Sequence, residues 1–251
     1  PNHAPLIIAE QFGTLESLYP GRIDLGLGRA PSTDQITSYA LRRNLNGSVD
    51  DFPQDVIELK NYLGPHKDNS SVRAIPGEGT QVPLWLLGSS TYSAQLAAAL
   101  GLPFAFASHF APAQLHDALK LYRKRFTPSD QLQQPYSMAC INVIAADTDE
   151  EAQLLASSFY KLAWGIVTNK RKPLQPPVKN FLNTWDEYEK AAVMQMMKYT
   201  FIGSAETVKK GLQSFLDETL VDEIMVASYV YDNDAKIRSY ELVGEFFKKG
   251  N

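Results

Sequence analysis

The sequence predicts an α/β fold built on a parallel sheet, and two observations carry that prediction. Five short apolar segments have the length and composition of buried or half-buried strands, and a helical pattern follows each of them. The predicted strands cover residues 23–27, 83–87, 103–107, 136–145 and 222–229. Strands that alternate with helices in this way are typical of βα units, in which neighbouring strands run parallel.

The helices of the first half are marked by their end signals. A helical pattern over 6–18 precedes the first strand, and Pro31 opens a polar helix after it, because the missing N–H of proline is unpaired in a first helical turn anyway. A further helix is predicted at 53–63. Ser90 supplies N-cap chemistry for an Ala-rich helix after the second strand, and Gly101 ends that helix.

The helices of the second half follow the same logic. Pro112 opens a helix that runs to residue 126, and the acidic run 147–151 caps and charges the next helix. The segment 203–207 starts a helix whose apolar residues have the spacing of a core-facing stripe. These residues are Val208, Leu212, Phe215 and Leu216. The last predicted helix covers 234–249.

Composition and charge exclude several classes of function. Hydrophobic residues make up 44% of the 251 residues, and the net charge of −4 leaves no bulk positive field for nucleic acid. The single Cys140 cannot form an internal disulfide, and the histidines are too scattered for a zinc site, so we expect no metal and a cytoplasmic protein. No apolar run reaches the roughly 20 residues that cross a bilayer, so we expect no membrane partner.

Two architectures compete for this pattern of elements. A doubly wound dinucleotide fold needs G-x-G-x-x-G after a strand, but the segment 26–31 reads GLGRAP, with proline in place of the third glycine. A (β/α)8 TIM barrel has eight strands in about 250 residues. We therefore expect a single barrel domain over 1–251 that contains only the last five strands, with an exposed insertion at 165–184. The first residue is Pro1 rather than Met, which fits a chain that starts inside a domain.

Three segments carry a family resemblance. They read PNHAPLIIAEQFGTLESLYPGRIDLGLGRAP, PLWLLGSSTYSAQLAAALGLPFAFASHFAP and DEIMVASYV. Together they resemble the bacterial luciferase-like flavin monooxygenases, closest to the YhbW-type branch. The resemblance implies a barrel that binds reduced FMN at the carboxyl ends of its strands and uses O2 to oxygenate a small organic substrate. It further implies a homodimer, and a separate flavin reductase would supply the reduced FMN because no nicotinamide fingerprint is present.

The resemblance assigns a phosphate site to the ends of the first two strands. Arg29 matches the family's arginine that grips the flavin phosphate, a dianion that a guanidinium can bind with two parallel hydrogen bonds. Gly88, Ser89, Ser90 and Ser93 match its phosphate-binding loop at a helix N-terminus. The alternatives are a surface ion pair for Arg29 and simple helix capping for the serines.

Other pocket residues are less distinctive. Gly28 stands where light-emitting members carry a reactive cysteine, so it would open space above the flavin ring or simply form a tight turn. His3 and His109 are the candidate catalytic residues, although a frayed terminus for His3 and a supporting hydrogen bond for His109 are equally good interpretations. Position alone also suggests four residues for which packing is the better interpretation. They are Asn142, Ser228, Tyr229 and Tyr231.

Two alternative functions remain open at this stage. Missing upstream strands would favour a catalytically silent flavin-binding protein. A deazaflavin-dependent dehydrogenase of the same fold is the other alternative. Its coenzyme also carries a phosphate, so a site made by Arg29 and Ser90 would accept either cofactor.

Overall fold

Helices and strands alternate along the chain, as the sequence predicts. The structure, a computed structural model, describes residues 3–29, 51–68, 70–179, 181 and 185–248. Its helices are α1 Pro5–Leu18, α2 Phe52–Leu63, α3 Thr91–Leu100, α4 Leu115–Arg125, α5 Asp149–Val167, α6 Glu187–Met196, α7 Ala205–Thr219 and α8 Asn233–Lys248. Its strands are β1 Leu25–Gly28, β2 Leu84–Gly88, β3 Phe104–Phe106, β4 Ser137–Ala146, β5 Thr200–Ser204 and β6 Glu223–Ala227.

The chain divides into two compact units. The first consists of residues 1–105 and 120–136, and the second of residues 106–119 and 137–251. In the part of the chain that the structure describes, no helix has the length and apolar character needed to span a bilayer.

The first unit is organised around parallel β1 and β2. Leu25 lies opposite Leu84, and the register continues to Gly28 opposite Leu87, so both strands end at the same edge. Helix α2 packs against α1 with a stripe of residues that are at most 3% exposed: Phe52, Val56, Leu59 and Leu63. Gly101 ends α3 in the left-handed conformation that its predicted capping role requires (φ 62°).

The second unit is organised around the ten-residue strand β4. Its first half pairs in parallel with β6, and its second half pairs in parallel with β5, with Asn142 at the boundary between them. Ile144 of β4 joins a core that the helices α5 and α6 complete. Besides Ile144, the most deeply buried members of this core are Ala156, Phe159, Ala163, Val193 and Val230.

The structure differs from the sequence prediction around α5, α6 and β5. Strand β5 and helix α6 were not predicted. The strand Thr200–Ser204 is short and mostly half-buried, and it gains its strand conformation by pairing with the distant β4. The residues 165–167 belong to α5, so the irregular segment begins at Thr168 rather than Gly165. The helix predicted after Pro31 lies outside the described residues.

Candidate functional site

The ends of β1 and β2 bring together two segments that the sequence singled out. Arg29 follows Gly28 at the end of β1, and the segment 89–93 follows Gly88 at the end of β2. Since the two strands are parallel and Gly28 lies opposite Leu87, both segments leave the sheet at the same edge. In open and closed parallel sheets alike, this carboxyl edge is where ligands bind.

Arg29 lies directly against the first turn of α3. Its guanidinium carbon is 4.0 Å from the centroid of the Tyr92 ring, a close cation–π contact. The contact of Tyr92 could not be predicted from the sequence, although Tyr92 lies inside the serine-rich segment, because the periodicity of a helix start does not indicate which side chain faces a neighbouring strand. The contact fixes the position of a permanent positive charge beside the helix N-terminus.

Ser90 begins α3 without capping it through its side chain. Its backbone is extended (φ −145°, ψ 172°), as an N-cap residue requires, yet its hydroxyl makes no capping hydrogen bond. The first N–H groups of a helix have no partner within the helix and carry the positive end of its dipole. Helix capping therefore does not account for Ser90, and the N-terminus of α3 keeps its capacity to bind an anion.

Gly88 and Ser93 hold the strand end close to the helix. A Cβ atom at Gly88 would lie 2.4 Å from both Cβ and Oγ of Ser93, so no larger residue fits at this position without displacement. Ser93 is 5% exposed and packs into that space, whereas Ser89 is half-buried. Gly88 and Ser93 therefore have a packing role at the site, independent of any part in ligand binding.

A cavity of about 250 Å³ lies beside β1 and brings together His3 and Gly28. Its polar lining comes from His3 and Asp55, and the other lining side chains are apolar. A Cβ atom at Gly28 would meet nothing nearer than 3.9 Å, and the residue does not have a positive φ. The backbone conformation of Gly28 therefore does not require glycine, and its missing side chain leaves open space at the end of β1 among the described residues.

His109 lies in the second unit, in the loop between β3 and α4. Its ring packs edge-on against Phe110 with the centroids 4.7 Å apart, and its Nδ1 is buried without a hydrogen-bond partner among the described residues. Burial lowers the pKa of His109 below its ordinary value, because desolvation disfavours the imidazolium. The ring is therefore neutral at neutral pH.

Residues of β4 hold the loop that carries His109. The Asn142 Nδ2 group donates to the backbone oxygen of His109 at 2.6 Å, and the Ser108 hydroxyl donates to the backbone oxygen of Cys140 at 2.6 Å. In the sequence, only its position suggests Asn142, and no signal indicates Ser108. Burial raises the pKa of Cys140 to about 11, so this residue stays a thiol and is not a nucleophile at neutral pH.

The remaining positional candidates are Ser228, Tyr229 and Tyr231, and their surroundings differ. Tyr229 stacks on Phe159 with ring centroids 4.6 Å apart, which confirms the packing interpretation for that residue. Tyr231 is 49% exposed, and the Ser228 hydroxyl is buried without a partner in the described part of the chain. Among the described residues, no group of three or more His, Cys, Asp or Glu side chains is arranged to hold a metal ion.

Known proteins resemble this chain along almost all of its length. A family model described as luciferase-like monooxygenase matches residues 1–223. YvbT of Bacillus subtilis (strain 168) is 53% identical over 249 residues, which cover 99% of this chain and 74% of that protein. A protein of Escherichia coli (strain K12) named luciferase-like monooxygenase is 52% identical over 242 residues, which cover 96% and 72% respectively.

Solved structures share the fold. The crystal structure of apo-MsnO8 has a TM-score of 0.83 and 31% identity, and covers 98% of this chain and 75% of that one. The oxygenating constituent of 3,6-diketocamphane monooxygenase from Pseudomonas putida, in complex with FMN, has a TM-score of 0.64 at 18% identity (97% and 75% covered). An F420-dependent secondary alcohol dehydrogenase has a TM-score of 0.62 at 16% identity (95% and 74% covered).

These comparisons confirm the resemblance that the three sequence segments indicated. The family model spans most of the chain, and relatives more than half identical cover nearly all of it. The parallel α/β arrangement matches the solved structures of the family. The chain therefore belongs to the luciferase-like monooxygenase family.

Proposed function

We propose that the chain is an FMN-dependent monooxygenase that uses reduced FMN and O2 to oxygenate a small organic substrate. The observation that carries the proposal is the contact between Arg29 and Tyr92, which holds a guanidinium beside the N-terminus of α3. A permanent cation next to the positive end of a helix dipole suits a phosphate dianion. The tail of FMN ends in such a group.

Each residue of this site has a distinct part in the proposal. Arg29 donates paired hydrogen bonds to the phosphate, and the Tyr92 ring keeps the guanidinium in place. Ser90 adds a hydroxyl donor that its helix does not use, and Gly88 lets Ser93 and the first turn of α3 approach the strand end. The open space at Gly28 lies in the cavity beside β1, next to His3.

The cofactor supplies the redox chemistry, since reduced flavin provides the electrons that activate O2. The protein binds the phosphate, orients the flavin and keeps water from the reacting atoms. We assign His109 and His3 as the candidate catalytic residues, and burial favours the neutral imidazole of His109, which is the form that can accept a proton. The proposal also includes a separate flavin reductase, a homodimer and a location in the cytoplasm.

The names of relatives support the choice of FMN. The E. coli relative at 52% identity is named a monooxygenase, and a more distant neighbour with the same fold was solved with FMN. Another neighbour is a dehydrogenase that depends on F420. Because both coenzymes carry a phosphate, the choice between them needs a direct binding measurement.

The binding test compares FMN with riboflavin, which lacks the phosphate. We expect the wild-type chain to bind FMN more tightly than riboflavin, and Arg29→Ala to weaken FMN binding by about 2 kcal/mol, or roughly thirtyfold, while riboflavin binding stays unchanged. Arg22→Ala is the matched control, because Arg22 also lies over a tyrosine ring, at 5.7 Å from the Tyr19 centroid, but precedes β1, whereas Arg29 follows the other end of that strand.

The outcomes separate the possible cofactors. Equal loss of FMN and riboflavin binding in Arg29→Ala, or no loss at all, would remove Arg29 as the phosphate anchor. Tight binding of F420 without binding of FMN would overturn the FMN assignment. With FMN bound, the rate at which O2 reoxidises the reduced flavin must differ from that of free flavin, and identical rates would indicate a silent binding protein.

A further inference from the structure

We propose that Asn142 is a positioning residue, which holds the loop of His109 against β4 and thereby fixes the orientation and environment of the His109 ring. The inference deepens the proposed function, on which it rests for the role of His109 in the reaction. The hydrogen bonds themselves involve only residues of the second unit.

Two hydrogen bonds of opposite direction fasten the loop to the strand. A side chain of the strand, Asn142, donates to the loop backbone at His109, and a side chain of the loop, Ser108, donates to the strand backbone at Cys140. Both bonds are 2.6 Å long. Successive loop residues are therefore held at two strand positions that are two residues apart, so the loop cannot slide along the strand without breaking both bonds.

The orientation of the Asn142 side chain follows from its partners. Its acceptor at His109 is a carbonyl oxygen, so only the NH2 group can face it, and the same group lies 3.3 Å from the hydroxyl of Thr200. Asn142 is 0% exposed, and its Oδ1 is left without a partner among the described residues. An apolar side chain would avoid this unpaired oxygen, so the asparagine serves the loop rather than the core.

The held loop presents a specific atom. The His109 ring is fixed edge-on to Phe110, and its Nδ1 is buried and unpartnered in the described part of the chain. Burial keeps the pKa of His109 low, so the ring enters the reaction neutral. Release of the loop would let water reach the ring and would change both the direction of Nδ1 and the ease of protonation.

The first test observes the ring directly, without cofactor or substrate. In protein labelled with 13C at histidine Cε1, NMR titration follows His3, His66, His109 and His116 separately, and His109→Gln assigns the signal. We expect Asn142→Leu, which keeps the branched shape of the side chain but cannot donate, to raise the His109 pKa toward the ordinary 6.5, with the other signals unchanged. Asn142→Ala is the second variant, and Ser108→Ala should shift the His109 signal in the same direction.

The control is Ser158→Ala, which removes another fully buried hydroxyl of the second unit that has no partner in the described structure. We expect it to leave the titration of His109 unchanged. An unchanged titration in folded Asn142→Leu and Asn142→Ala, or an equal shift in Ser158→Ala, would overturn the inference. If Asn142→Leu does not fold, the titrations of Asn142→Ala and Ser108→Ala test the inference instead.

The second test separates the inference from the proposed function. In the reaction of bound reduced FMN with O2, we expect Asn142→Leu to lower kcat. The pH profile of kcat should shift in the same direction as the pKa of His109, while the Kd of FMN stays unchanged. A shifted NMR titration with an unchanged pH profile would support Asn142 as the residue that positions His109 and would remove His109 from the proposed catalytic residues. A failure of FMN binding itself would count against the proposed function and leave the NMR result standing.

Discussion

At the scale of single residues, the sequence identified both halves of the candidate phosphate site but not how they touch. Arg29 and the serine-rich segment could be predicted because each follows an apolar strand and has residue types suited to an anion. The Tyr92 ring beneath Arg29 could not, since a cross-strand contact depends on register. The different roles of Gly28 and Gly88 were also invisible, because only the neighbours of each missing Cβ distinguish them.

The two strand-end glycines should respond oppositely to the same substitution. Gly88→Ala forces a Cβ atom to within 2.4 Å of Ser93, and we expect such overpacking to lower the free energy of unfolding by about 1–3 kcal/mol. Gly28→Ala meets no close neighbour and should raise it by about 0.5–1 kcal/mol, since glycine weakens a strand. Urea unfolding of both variants measures the difference, and equal destabilisation would contradict this account of the site.

Ser90→Ala should separate ligand binding from helix capping. Because the Ser90 hydroxyl makes no capping bond, we expect the unfolding free energy to stay within about 0.5 kcal/mol of the wild-type value. FMN binding should weaken by about 1 kcal/mol through the loss of one hydrogen bond. Parallel urea unfolding and FMN titration check both values. A loss of stability with unchanged FMN affinity would restore the capping interpretation.

At the scale of elements, local end signals predicted most of the helices, whereas one strand and one helix were missed. Thr148 and Ser204 accept hydrogen bonds from the third residue of the helices they precede, which are local signals that the sequence displays directly. Strand β5 has no such local signal, because it forms by pairing with β4. The paired residues, such as Phe201 and Val143, are about sixty positions apart in the sequence. Elements that depend on local hydrogen bonds can be predicted from the sequence, whereas elements that depend on distant partners are harder to predict.

Asp149 at the start of α5 should make the stability of the fold depend on pH in the acidic range. Its carboxylate accepts from the Ser204 backbone N–H at 2.6 Å and from the hydroxyls of Thr207 and Ser204, which holds the pKa of Asp149 below its ordinary 3.8. This contribution is complete above the ordinary pKa, where the carboxylate is ionised in folded and unfolded chains, and is lost as the pH falls through the lower folded value.

The test for Asp149 is a pH series of urea unfolding. We expect Asp149→Asn to be less stable than the wild type near neutral pH, and its stability to fall less steeply as the pH drops below the ordinary pKa of the carboxyl. Asp147→Asn is the neighbouring control, since Asp147 pairs with exposed Arg238 instead of a helix start. Identical acid dependence in the wild type and Asp149→Asn would show that the Ser204 bond does not stabilise the fold.

At the scale of the whole molecule, the fold class and the family could be predicted, whereas the substrate could not. Fold class follows from the repeated alternation of apolar strands and helices, and the family from three segments that recur in order. Substrate choice depends on the shape and polarity of a pocket, which no periodicity records. A buried atom such as Nδ1 of His109 becomes meaningful only when its surroundings are known.

Cofactor binding should be visible in the stability of the whole chain. A ligand at 100 times its Kd stabilises the folded state by about 2.7 kcal/mol, which for a chain of this size raises Tm by roughly 5–10 °C. We expect FMN at a fixed concentration to produce such a rise in the wild type and a smaller rise in Arg29→Ala. Differential scanning calorimetry measures both. Equal rises in the two proteins would show that FMN binds without the Arg29 guanidinium.

The ten-residue strand β4 has a consequence for how the protein tolerates a break in its backbone. Its two pairing partners, β5 and β6, both come later in the chain than the exposed segment 170–173. Proteolytic cleavage in that segment would leave β4 on one fragment and β5 and β6 on the other. Two independent ladders of backbone hydrogen bonds would then join the fragments, so the nicked protein should stay associated in native buffer and come apart only in denaturant.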